Sequence, residues 1–120
     1  MVTGNTDNML SVLENYLLDN ADTVSMQIAA DFRRRRVEKG LTREQIAERA
    51  GVAISNVARF EQKGLISLKN LIMLAMALGY TSEIKGVFAT PKYSTMEELT
   101  QIRRNSGKTK AYKKKGRKTK

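Results

Sequence analysis

The sequence predicts an all-α fold: a compact bundle of four to five helices, with an extra N-terminal helix and a disordered basic C-terminal tail. Three observations carry this. Apolar residues recur at helical spacing in successive short runs. Ser and Thr caps open those runs, and glycines close them. Proline occurs once, at Pro91, in a chain of 120 residues whose apolar content of 41% is enough for one core.

The elements follow in order. Residues 1–8 are small and polar and are expected to be disordered. "MLSVLENYLLD", 9–19, sets Met9, Val12, Leu13, Tyr16 and Leu17 on one stripe, a short amphipathic helix that needs a partner surface. "NADT" breaks that pattern, with Asp22 or Thr23 as the next N-cap. A second helix over 24–39 carries the i, i+4 ladder Val24, Ile28, Phe32, whose next step is Arg36. A guanidinium in line with an apolar face needs a carboxylate, because an unpaired buried charge is costly. Gly40 stops this helix.

"LTREQIAERAG" is the third helix, with a Thr42–Gln45 capping box, an inward face of Ile46, Ala47 and Ala50, and Gly51 in a left-handed C-terminal position. Val52 and Ala53 separate it from a helix over 54–62 that turns Val57 and Phe60 inward. Two helices around so short a glycine-containing turn are a helix-turn-helix signature. The fifth helix, "SLKNLIMLAMALG", is capped by Ser67 and stopped by Gly79, with Leu68, Leu71, Ile72, Ala75 and Leu78 facing the core and Met73 and Ala77 on the far side. "YTSEIKGVFATPKY" reads as irregular, with room for a short strand. A Ser94–Glu97 capping box opens a last short helix ending near Ile102, and from Arg103 the chain is low-complexity and basic. The expected segments are therefore 1–22, 23–80, 81–102 and 103–120.

Charge is distributed unevenly. The net charge of +10 equals the ten Lys and Arg of residues 103–120, which hold no acid. Residues 33–69 hold ten bases against four acids, while residues 1–26 hold four acids and no base. Basic stretches of this kind fit a polyanion, most simply nucleic acid, although a lysine-rich tail also serves solubility. Within Arg33–Arg36, Arg36 is argued inward. The others fan around the helix as a solvated face, with pairing such as Arg34 to Glu38. The chain has no Cys and no His, so thiolate and imidazole metal sites and the commonest general base are excluded, and no metal or cofactor is expected. There is no Gly-rich phosphate loop and no convincing carboxylate pair, so an enzyme is not expected. No apolar run approaches membrane-spanning length, and no secretory signal is read.

Residues 28–79, through "RRRRVEKGLTREQIAERAGV", "SNVARFE" and "SLKNLIMLAMALG", resemble the lambda-repressor-like (Cro or XRE-type) helix-turn-helix family. The resemblance implies a double-stranded DNA partner, with the helix after "AGV" entering the major groove and the preceding one lying over the backbone. It implies base contacts from Ile54, Ser55, Asn56 and Arg59, with Arg59 suited to a guanine edge. It implies backbone contacts from Thr42, Arg43, Gln62 and Lys63. It also pairs Arg36 with Glu61, which supplies the carboxylate that the ladder demands. Two residues depart from the family pattern: Ala53 stands where a Ser or Thr cap is usual, and Ile54 where a polar side chain is frequent.

The implied function is a sequence-specific transcriptional regulator, a dimeric repressor whose homodimer surface is the first helix or the 67–79 helix, located in the cytoplasm at the nucleoid of a prokaryote or phage. The alternative is a HipB-type antitoxin that binds both operator DNA and a toxin protein, which a neighbouring kinase-like gene would favour. A third reading is RNA or ribosome association through the tail.

Overall fold

The structure is a computed structural model that describes residues 19–111, and among these every regular element is a helix. The helices are α1 (Ala21–Glu38), α2 (Arg43–Ala50), α3 (Ile54–Lys63), α4 (Leu68–Ala77), α5 (Thr81–Lys85) and α6 (Met96–Asn105). The helix expected over 9–19 lies outside the described residues. The chain divides into two compact units, Met1–Ile84 and Lys85–Lys120.

α1 starts earlier than its sequence suggests. Asn20, not Asp22 or Thr23, is the N-cap: its Oδ1 accepts the Thr23 N–H at 2.9 Å, and Thr23 Oγ1 accepts the Asn20 N–H at 3.0 Å. This reciprocal pair satisfies two donors that a helix start otherwise leaves open. The expected ladder is only half inward. Phe32 and Arg36 are buried, but Val24 and Ile28 are exposed, and Ala29 fills the core instead. Steps of four drift by about 40° around a helix of 3.6 residues per turn, so a long i, i+4 ladder cannot stay on one side. On the outer face Arg34 pairs with Asp31 at 3.1 Å and Arg35 with Glu38 at 2.6 Å, replacing the expected Arg34–Glu38 pair.

The core of the first unit draws Ala29 and Phe32 from α1, Leu41 from the following turn, Ile46 and Ala47 from α2, Val52, Val57 and Phe60 from the turn and α3, and Leu74 and Leu78 from the α4 region. Phe32 and Phe60 meet with ring centroids 5.4 Å apart at 53°, a tilted contact that ties α1 to α3. On α4 two assignments reverse. Leu68 is exposed, whereas Met73 and Ala77 pack against the core. Met73 covers the turn at Gly51, where a β-carbon would sit 3.5 Å from the Met73 Cε. The inward face of α4 is therefore centred on Leu74, and Leu68 falls off its edge.

In the second unit the segment expected to allow a strand forms turns after α5. α6 is capped by Thr95, whose Oγ1 accepts the Glu98 N–H at 3.1 Å, rather than by a Ser94–Glu97 box. Ser94 instead donates its backbone N–H and its hydroxyl to Glu98 Oε1. Those bonds hold the Glu98 carboxyl below the usual carboxylate range. α6 continues past Ile102 through Arg103, Arg104 and Asn105. Arginines in a last turn are favoured by the partial negative charge of the helix end, so the first residues of the basic stretch are helical.

Candidate nucleic-acid interface

α2 and α3 pack against each other, and local chemistry sets their ends. Thr42 Oγ1 accepts the Gln45 N–H at 3.0 Å, and Gln45 Oε1 accepts the Thr42 N–H at 2.9 Å. Gly51 ends α2 at φ 73°, a left-handed conformation that most side chains resist. α3 then starts from Ala53 without a side-chain cap.

α3 separates its faces cleanly. Val57, Phe60 and Glu61 are buried. Ile54, Ser55, Arg59, Gln62 and Lys63 are exposed, and Asn56 is half-buried. Thr42 and Arg43 lie at the start of α2, exposed and half-buried respectively.

A three-residue ion cluster locks α3 to both neighbours. Arg36 donates from Nε to Glu61 Oε2 at 2.6 Å and from Nη2 to Oε1 at 2.9 Å. Its Nη1 donates to the Leu41 carbonyl at 2.7 Å. Arg43 donates from Nε to Glu61 Oε1 at 2.9 Å. The Glu61 side chain is 0% exposed, Arg36 9% and Arg43 33%, so the cluster reaches solvent chiefly through Arg43. Burial by itself pushes the Glu61 carboxyl up, but the hydrogen bonds from Arg36 and Arg43 outweigh it and hold it below the usual range. Two guanidinium groups share one carboxylate, which leaves one unit of positive charge at the α2–α3 surface. The sequence pointed to Arg36 and Glu61; the recruitment of Arg43 carried no sequence signal, because an arginine at an exposed helix start demands no carboxylate.

Beside α3 is a concavity of about 360 Å³ lined by Asn56, Arg59, Leu65, Ile66, Ser67 and Asn70. Ser67 and Asn70 come from the start of α4, where Ser67 Oγ accepts the Asn70 N–H at 3.2 Å. Sequence reading assigned Ser67 only a capping role and singled out Asn70 for nothing, since their closeness to α3 depends on the loop through Gly64.

Residues 32–84 match the family model described as Helix-turn-helix. This stretch resembles a helix-turn-helix domain. It covers less than half of the 120-residue chain and takes in α2, α3 and α4 whole. No curated protein matches the chain. The match supports DNA binding and transcription regulation. No helix among the described residues is long and apolar enough to cross a membrane.

Proposed function

We propose that the protein is a sequence-specific, non-enzymatic, cytoplasmic transcriptional regulator, a dimeric repressor that reads double-stranded DNA with α3. The observation that carries this is the division of α3. Its buried Val57, Phe60 and Glu61 hold the helix while Ser55 and Arg59 stand outward. A helix presented to a major groove needs this combination of rigid backing and free polar edge.

In this reading Ile54, Ser55, Asn56 and Arg59 meet base edges, with Arg59 on a guanine and Ile54 against a thymine methyl. Thr42, Arg43, Gln62 and Lys63 meet the phosphate backbone and set register. The unbalanced charge of the Arg36–Glu61–Arg43 cluster supports Arg43 in that role, since a phosphate would neutralise it. The concavity between Arg59 and Asn70 offers room for the sugar-phosphate strand beside the groove.

Selection of preferred sites from random duplex DNA tests the proposal. The expected result is a palindrome with half-sites about one helical turn apart, as a two-fold dimer requires. Enrichment of a single half-site would remove the dimer and keep the regulator. Recovery of no preferred sequence would overturn the reading.

A further inference from the structure

We propose that residues 85–111 are a second nucleic-acid-binding unit, one that takes single-stranded DNA or RNA by stacking unpaired bases on Phe88 and Tyr93 among phosphate-binding lysines and arginines. It goes beyond the duplex reading of α3 and does not rest on it.

The charge of the two units is the first observation. Residues 1–84 hold ten bases and ten acids, net zero, whereas residues 85–120 hold twelve bases and two acids, net +10. The whole excess charge of the chain therefore belongs to the smaller unit. Its two acids, Glu97 and Glu98, stand together in the first turn of α6. Glu98 is engaged by Ser94 and Thr95. Beyond them, two of the basic side chains meet neutral partners: Arg104 donates to Gln101 at 3.3 Å and Lys108 to Asn105 at 3.2 Å. A run of positive charge without internal acids is complementary to a polyanion.

The aromatic rings are the second observation, and they decide which polyanion. The chain has three phenylalanines. Phe32 and Phe60 are 8% and 2% exposed and build the core, whereas Phe88 is 95% exposed. Tyr93 is 52% exposed. Both rings sit in the segment "KGVFATPKY", between or beside Lys85 and Lys92. A duplex buries the faces of its bases in its own stack and offers an exposed ring nothing to lie against. A single strand presents those faces, and rings interleaved with cationic side chains are what sequence-tolerant single-strand binders use. An acidic protein partner would satisfy the charge but leaves the rings unexplained.

The test uses the full-length chain with labelled oligo(dT), oligo(U) and random duplex DNA of equal length, titrated by fluorescence anisotropy at several salt concentrations. Phe88→Ala is expected to weaken binding to the single strands by roughly 5- to 150-fold and Tyr93→Ala to act in the same direction, with the duplex hardly affected. Both rings are exposed, so neither change threatens the fold. The ratio of oligo(dT) to oligo(U) affinity distinguishes DNA from RNA as the ligand. Arg59→Ala is expected to leave single-strand binding unchanged, which separates this unit from the surface of α3. The proposal is overturned if Phe88→Ala leaves the affinity for both oligonucleotides intact, if Arg59→Ala abolishes it, or if neither oligonucleotide binds.

Discussion

Arg43 and Glu61, eighteen residues apart in sequence, are joined by a 2.9 Å hydrogen bond from Nε to Oε1, on a carboxylate that already accepts a bidentate pair from Arg36. The two arginines do not contribute equally to stability. Arg36 is buried, so removing its carboxylate strands a charge away from water, a change that typically costs about 3–5 kcal/mol. Arg43 is one-third exposed, and water can replace what it loses. Glu61→Gln should therefore destabilise the domain by about 3 kcal/mol or more, and Arg43→Gln by less than about 1 kcal/mol. Urea denaturation of both variants checks the order. Similar losses would show that the cluster acts as a unit and not as a buried pair with a surface attachment.

The same carboxylate gives the domain an acid limit. The folded-state pKa of Glu61 lies below its ordinary value, so the unfolded chain takes up the proton more readily. The stabilisation is complete above the unfolded pKa, about 4.3, and is lost as pH falls through the lower folded value. Glu61→Gln should flatten this part of the stability–pH curve while lowering stability at neutral pH. A variant as acid-sensitive as the parent would assign the acid limit to other carboxylates.

Much of this arrangement was legible in the sequence, and the misses share a cause. The Thr42–Gln45 box, the left-handed Gly51 and the inward Val57 and Phe60 are local consequences of residue type at a spacing, and the structure has them. The need of Arg36 for a carboxylate was also readable, because burying a charge on an apolar stripe leaves few solutions. Asn20 was missed because its cap depends on a reciprocal bond with Thr23, when Asn20, Asp22 and Thr23 could each have served. Val24, Ile28, Leu68, Met73 and Ala77 were misassigned because periodicity gives a face, while the neighbouring helices decide how wide that face is. Arg43 reads as an exposed helix-start residue. Only the crossing of α2 and α3 brings it to Glu61.

Gly64 shows how a tertiary approach differs from a local turn. It ends α3 at φ 69°, and a β-carbon there would lie 2.9 Å from Ser25 Oγ and 3.2 Å from the Ser25 carbonyl carbon. Gly79 has φ 89° with nothing within 4 Å. Gly79→Ala should cost about 1–2 kcal/mol, the penalty of the backbone conformation alone. Gly64→Ala should cost clearly more, because α1 must also move. Equal losses in thermal melts would mean that Ser25 gives way freely.

The uncapped start of α3 can be repaired. Ala53 has extended backbone angles, φ −63° and ψ 140°, suited to an N-cap, but no side-chain oxygen to accept from the helix start. Ala53→Ser should stabilise the domain by about 1 kcal/mol, seen as a higher midpoint in denaturation with an unchanged slope. A neutral result would indicate that water already satisfies those donors.

Arg59 tests whether α3 reads sequence. It is exposed, borders the concavity with Asn56 and Asn70, and stands one helical turn from Ser55. A guanidinium held bidentate on a guanine contributes about 1–3 kcal/mol of discrimination, whereas one on phosphate contributes the same to every sequence. Arg59→Ala should therefore weaken binding to the selected site by roughly 5- to 150-fold and bring it nearer to random duplex, whose affinity falls much less. Gel-shift titrations of both duplexes at one salt concentration measure the ratio. Parallel losses on the two duplexes would make Arg59 a backbone contact and move base reading to Ser55, Asn56 and Ile54.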